Sequence, residues 1–213
     1  MNSAMEANLF YVFVTLLVMI NPVEAAATFD SVTAGDDAAT KRRIALRSTI
    51  IAGVILLGFG FIGDALLRAL GISFAAFRIA GGLLLLRVGF NMVFDAKKSG
   101  DTSRSGAPND DPTVFPLAIP IITGPGALTA IVTLMTRTHD SPLKVSALVI
   151  IAIVVMAITY VTMRASTLLN RLLGASGVDA VGRITGIIVA AISIQLVIDG
   201  IAEMLPTLLK HPL

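Results

Sequence analysis

Long apolar runs alternate with short polar segments along the whole chain. The runs cover about residues 7–29, 45–67, 73–94, 114–135, 145–163 and 179–205. Each is near the ~20 residues a helix needs to cross the hydrocarbon core of a bilayer. The pattern predicts an all-α, polytopic integral membrane protein with six transmembrane helices. The segment 96–113 is rich in Ser, Gly, Pro, Asn and Asp and reads as a flexible linker. It divides the chain into residues 1–95, a first three-span unit, and residues 114–213, a second one, within one membrane domain.

Two of the six runs are interrupted. The fourth has no charged residue, yet it contains Pro116, Pro120, Gly124, Pro125 and Gly126. Proline has no amide hydrogen and clashes with the preceding turn, and glycine is a poor helix former. We expect a helix that stops near Ile122 and restarts near Ala127, with Thr123–Gly126 unwound. The first run is interrupted in the same way at Asn21-Pro22, with Glu24 two residues beyond. Unwound backbone at membrane depth survives only when buried in protein or facing a wet cavity. A half-helix starting there presents unpaired N–H groups and the positive end of its dipole, which suits a carboxylate. The bland alternative is a structural kink satisfied by neighbouring helices.

The composition agrees with a membrane location. Of 213 residues, 55% are hydrophobic and 14% charged, with mean hydropathy +0.88. A soluble domain carries about 25% charged residues. The net charge is +2 and the basic residues are scattered, so nucleic acid is not implied. There is no cysteine, which excludes disulfides, thiol chemistry and iron–sulfur clusters. No His, Cys and carboxylate set has metal-ligand spacing, no nucleotide-binding loop is present, and the two histidines lie outside the spans, so we expect neither an enzyme nor a cofactor. The first apolar run has no Lys or Arg before it and reads as a retained span, not a cleaved signal peptide. The connectors after spans 1, 3 and 5 hold Lys41, Arg42, Arg43, Arg47, Lys97, Lys98, Arg104 and Arg171; the other side holds Arg68, Arg137, Lys144 and Lys210. The excess places the first set in the cytoplasm and both termini outside.

The two halves share landmarks. Asn21-Pro22 matches Gly124-Pro125, and Arg78-Ile79-Ala80-Gly81 matches Arg183-Ile184-Thr185-Gly186, at offsets of 103 and 105 residues. Three spans per half invert the second copy relative to the first, which is the inverted repeat of secondary transporters. Two breaks related by such symmetry would meet near the bilayer centre.

Charge inside a span is costly and marks either function or pairing. Glu24 is a candidate proton carrier, or an acid interacting with the dipole of its own helix. Arg78 and Arg183 are candidates for pairing with acids such as Asp64, Asp199 or Glu24, or for snorkelling to the interface. Gln195 is suited to face a cavity or bond another helix. Gly182, Gly186 and Ala190 form a small-residue stripe suited to close packing within the chain, and a homo-oligomer is also open to it.

Four segments carry a family resemblance: N-P-V-E-A-A-A-x-F at 21–29, F-R-I-A-G-G at 77–82, P-L-A-I-P-x-x-x-G-P-G at 116–126 and R-I-x-G at 183–186. Together they resemble the MarC family of bacterial and archaeal inner-membrane proteins over nearly the whole chain. The resemblance implies six spans and membership of a wider group of small-solute exporters. SnatA-like relatives move small neutral amino acids such as glycine and alanine, while others carry a multiple-antibiotic-resistance name. Glu24 is read from this chain alone and is not carried over from the family.

These observations lead to a secondary transporter, an exporter, of small neutral amino acids, working in the inner membrane among lipid. The expected substrate contacts are Asn21, Pro22, Val23, Thr123, Gly124, Pro125 and Gly126. Half-helix N-termini at Val23 and Gly126 would cradle the carboxylate, and unwound carbonyls near Ile20, Asn21 and Thr123 would accept from the ammonium. Glu24, Arg78, Arg183, Asp64 and Asp199 are the candidate coupling or intramembrane charges. A channel or passive pore for small solutes is the alternative from another class, and a membrane anchor without transport is the third.

Overall fold

A computed structural model describes residues 2–94, 113–138 and 141–210. The 96–113 linker lies outside the described residues, apart from Thr113, which opens a helix. Among the described residues every regular element is helical: α1 (Asn2–Ile20), α2 (Pro22–Val32), α3 (Ala38–Ala69), α4 (Phe74–Phe94), α5 (Thr113–Ile122), α6 (Pro125–Thr138), α7 (Pro142–Arg164) and α8 (Ser166–Lys210). Five segments are long and apolar enough to cross a membrane, namely Leu9–Val32, Ala38–Ala69, Phe74–Phe94, Pro142–Arg164 and Asp179–Leu205.

The fourth expected span is the exception. It is divided into α5 and α6, of 10 and 14 residues, neither long enough to cross alone. α5 has wide, π-type turns, and the amide of Thr123 closes onto the Ala118 carbonyl five residues back at 3.1 Å. The unwound stretch is shorter than the sequence suggests. Only Thr123 and Gly124 lie between the helices, and Pro125 and Gly126 already belong to α6. The reason is that proline is favoured at the first helical position, where its missing N–H costs nothing. The same holds at Pro22, so α2 and α6 start one residue earlier than the expected Val23 and Gly126.

Caps and breaks account for the other boundaries. Asp37 caps α3, its carboxylate accepting from the amides of Ala39 and Thr40, each at 3.3 Å. Gly71 follows α3 with φ 69°, and Gly174 interrupts α8 with φ 64°. Residues 166–173, expected as part of a connector, are helical.

The packing has a regular scheme. α4 lies along α8, and α3 along α7. α1 packs on α7 as α5 packs on α3; α2 packs on α7 as α6 packs on α3; α2 packs on α8 as α6 packs on α4; and α1 meets α6 as α5 meets α2. Exchanging α1–α4 with α5–α8 therefore carries each of these contacts onto another, and the α4–α8 and α3–α7 contacts onto themselves. The outward faces carry Phe61, Ile62, Leu83, Leu84, Ile150 and Ile187, all exposed, as a surface in lipid requires.

The α4–α8 interface is built on absent side chains. A Cβ added to Gly89 would fall 2.9 Å from the Ala190 amide nitrogen, one on Gly82 2.8 Å from the Ser193 carbonyl, and one on Gly186 2.8 Å from Met92 Cβ. The expected stripe thus contributes Gly186 and Ala190 to packing within the chain, but a Cβ at Gly182 meets nothing within 4 Å. Of the span 2 glycines, Gly60 and Gly63 press on Ile131 and Val132 of α6, whereas Gly58 is open. Gly89→Val should therefore force α4 and α8 apart and destabilise the fold by about 1–3 kcal/mol. Gly182→Ala should be neutral or stabilise by about 0.5–1 kcal/mol through helix propensity. Melting temperatures of the two detergent-purified variants check this pair, and equal losses would count against the interface described.

Candidate functional site

Asn21 is the one non-glycine residue with positive φ among those described, at φ 51° and ψ 71°. Asparagine tolerates the left-handed region because its short amide can bond locally. Here the Asn21 side chain caps α2. Its Oδ1 accepts from the Glu24 amide at 3.4 Å, and its Nδ2 donates to Glu24 Oε2 at 2.8 Å. Both bonds run through the Asn21 side chain, since the Asn21 backbone amide donates to the Leu17 carbonyl at 3.0 Å. Nδ2 also approaches Met92 Sδ of α4 at 3.6 Å. The Asn21 carbonyl, expected to be free for a ligand, accepts instead from Ala25 N at 3.1 Å as the first bond of α2.

The second break is finished differently. Thr123 Oγ1 donates to the Ala118 carbonyl at 2.7 Å, closing the end of α5. At the start of α6, Leu128 N reaches the Gly124 carbonyl at 3.1 Å. Pro125 has no N–H, which leaves the Gly126 and Ala127 amides without an acceptor in the helix. Among the described residues no side chain caps this end in the way Asn21 caps α2. Gly126 does not have positive φ; its constraint is space, since a Cβ there would meet Leu85 Cδ1.

The two breaks line one cavity of about 140 Å³. Asn21 and Glu24 form part of its wall, and Gly124, Pro125 and Gly126 another part. Leu85, Val88 and Met92 of α4 and Val189 of α8 add apolar wall, and Val18, Met19 and Ile121 complete it beside the breaks. Pro22, Val23 and Thr123 sit within the breaks but do not line the cavity. The α4 and α8 residues were not singled out from the sequence. Leu85, Val88 and Met92 share one helix face by spacing, but an apolar helix carries no mark of which face meets a cavity.

The remaining candidate charges lie elsewhere, and their partners differ from those expected. Arg78 is buried, pairs with Glu203 at 3.0 Å and lies 4.9 Å from the centre of the Phe74 ring. Asp64 pairs with Arg68 at 2.6 Å, and Arg183 with Asp179 at 2.9 Å, each within one helix. Asp199 pairs with Arg137 at 3.8 Å and accepts from Gln195 at 2.7 Å. None of the four joins Glu24 at the central cavity. Glu24 is the third residue of α2, in its first turn, and forms part of the cavity wall.

Long apolar helices, two of the apolar runs broken at Asn21 and at Thr123–Gly124 with a cavity between the breaks, define a polytopic integral membrane protein. The chain belongs to the MarC family: the family described as MarC family integral membrane protein matches residues 7–205. A UPF0056 membrane protein of Aquifex aeolicus is 34% identical over 204 residues, covering 93% of this chain and 92% of that protein. The UPF0056 inner membrane protein YhgN of Escherichia coli is 33% identical over 189 residues, covering 88% and 93%. A UPF0056 membrane protein of Archaeoglobus fulgidus is 34% identical over 199 residues, covering 92% and 93%. No solved structure matches the chain.

The Asn21 geometry yields a stability test. Asn21→Ala loses the cap, about 1 kcal/mol, and adds left-handed strain of about 1–2 kcal/mol. Asn21→Gly keeps the φ without strain and should cost only a few tenths. The melting temperature should fall clearly for alanine and little for glycine. A fall of the same size in both would assign the cost to the side-chain bonds and not to the backbone conformation.

Proposed function

We propose that this protein is a secondary transporter, an exporter, of small neutral amino acids across the inner membrane, and not an enzyme. One observation carries the reading: an uncapped helix N-terminus and a carboxylate line the same cavity. The Gly126 and Ala127 amides, with the positive end of the α6 dipole, suit a substrate carboxylate. Glu24 suits an ammonium. A zwitterion satisfies both, whereas a simple anion or cation satisfies one. Size supports the same class. An apolar cavity of about 150 Å³ accommodates benzene, with its six heavy atoms, and alanine has as many. Leu85, Val88, Met92 and Val189 leave no polar partner for a longer polar side chain. The printed name of the Escherichia coli relative YhgN, an inner membrane protein, supports the location.

Residues 1–95 and 114–213 act in this reading as two inverted repeats joined by the 96–113 linker. The exchangeable contacts support it, because alternating access requires two halves that can rock about a site between them. Glu24 is the candidate coupling group: a proton there would compete with a substrate ammonium.

Purified protein in proteoliposomes should exchange labelled alanine or glycine, with trans-stimulation by unlabelled substrate. Flux without trans-stimulation would instead indicate a passive pore, and no flux from folded protein would reject transport of these substrates. Glu24→Gln should abolish flux driven by a pH gradient and, by removing the ammonium's charged partner, weaken exchange as well; an unchanged response to the pH gradient would confine Glu24 to its place in the first turn of α2.

A steric test separates the cavity from the fold. Gly126→Ala should weaken alanine binding about tenfold, the equivalent of about 1.4 kcal/mol. Leu85→Ala in the same chain removes the side chain that the new methyl meets and should recover most of the affinity. Calorimetric titration measures both, and normal binding by Gly126→Ala would place the substrate elsewhere.

A further inference from the structure

A second cavity, of about 50 Å³, lies between α1, α6 and α8. Tyr11, Thr15 and Met19 line it from α1, four residues apart and hence on one helix face. Ala130, Thr133 and Arg137 line it from α6, and Ile192, Gln195 and Asp199 from α8. On each helix the lining residues run from mid-helix toward one end, so the three faces form a seam. Met19 borders this cavity and the central one, which makes the two neighbours. The Thr133 hydroxyl is satisfied within its own helix, Oγ1 donating to the Thr129 carbonyl at 2.7 Å.

The far end of the seam is closed by charge. Arg137 Nη2 and Asp199 Oδ2 are 3.8 Å apart, with side chains 54% and 35% exposed. Gln195 donates to the other Asp199 oxygen at 2.7 Å. α6 and α8 are not among the helix pairs with substantial packing, so this ion pair joins two helices that otherwise hardly touch. The other described interhelical ion pair, Arg78–Glu203, joins α4 and α8, which are also interlocked through their glycines. Opening the Arg137–Asp199 pair repacks nothing comparable.

We propose that this seam is the access route between the central cavity and the membrane face at the C-terminal end of α6, with the Arg137–Asp199 pair as its gate. The proposal rests on reading the central cavity as the substrate site. It also extends the selectivity argued there. A zwitterion replaces each partner of the gate, offering its carboxylate to Arg137 and its ammonium to Asp199. A lone anion or cation replaces one partner and leaves the other charge unpaired.

The chain has no cysteine, so single thiols report without background. Thr133→Cys, at a position 7% exposed within the seam, should react slowly with a polar maleimide in purified full-length protein. Adding Asp199→Asn, or Arg137→Gln as a second variant, should speed labelling about fivefold, the factor that about 1 kcal/mol makes. The exchanged pair Arg137→Asp with Asp199→Arg should return it to the slow rate. Thr159→Cys, fully buried in α7, should stay slow throughout. Unchanged labelling of Thr133→Cys in both gate variants overturns the proposal. So does a parallel rise at Thr159→Cys, which would mean general loosening. The thiol readout needs no substrate. If labelling follows the expected pattern while alanine is neither bound nor moved, the route stands and the substrate reading fails.

Discussion

A backbone that stops being helical inside a bilayer must find partners for its own polar groups, and the rest of this structure depends on how two breaks meet that demand. Water is not available there, and each unsatisfied N–H or C=O costs several kcal/mol. At the first break the answer is a side chain: Asn21 takes a left-handed conformation and its amide caps α2. At the second it is a wider turn: the Thr123 amide and hydroxyl both return to the Ala118 carbonyl. Both breaks are also enclosed. α7 covers α1 and α2, and α3 covers α5 and α6.

The same economy governs the polar residues of α6. Thr129, Thr133, Thr136 and Thr138 each donate their hydroxyl to the carbonyl four residues earlier, at 2.7–2.9 Å. Threonine in a membrane helix can thus be polar toward a cavity without leaving a donor unmet. That is why a helix flanked by apolar neighbours can carry four hydroxyls. Their lone pairs remain to accept from a passing solute or water. A serine-to-valine-like packing surface and a weakly polar lining are supplied by one residue type.

Much of this was legible in the sequence, because its strongest signals concern what backbone cannot do. Pro22, Pro125 and the glycines beside Pro125 mark helix interruptions wherever they fall, since a missing N–H is a local property. Charge pairing is not local. Arg78 has Glu203 as its partner, more than a hundred residues away, and nothing in either neighbourhood selects it over Asp199. The split of the fourth span into two short helices was legible, but its length was misjudged by two residues. Proline breaks the helix before it yet starts the one after it, so Pro125 and Gly126 counted as unwound when they are the first turn of α6. The apolar wall of the central cavity was hidden for another reason. Leu85, Val88 and Met92 differ from their exposed neighbours Leu83 and Leu84 only in direction, and the all-round apolarity of α4 erases the periodicity that would reveal a face.

The two halves share a packing scheme but not the chemistry of their breaks, and that difference matters more to function than the likeness. Where the first half has Asn21 and Glu24, the second has Gly124 and Ala127. Asn21 closes the N-terminus of α2 with its own side chain and thereby takes away one of the two anion sites a perfectly repeated pair would offer. It also holds Glu24 by the 2.8 Å bond from Nδ2, so that the first break contributes negative charge. At the second break the Gly126 and Ala127 amides are left uncapped among the described residues, and neither Gly124 nor Gly126 has a side chain of its own to cover them. A symmetric cavity would have two equivalent ends and no way to orient a molecule carrying one charge of each sign. Divergence at these few positions gives the cavity two unlike sides, a carboxylate on α2 and a helix N-terminus on α6.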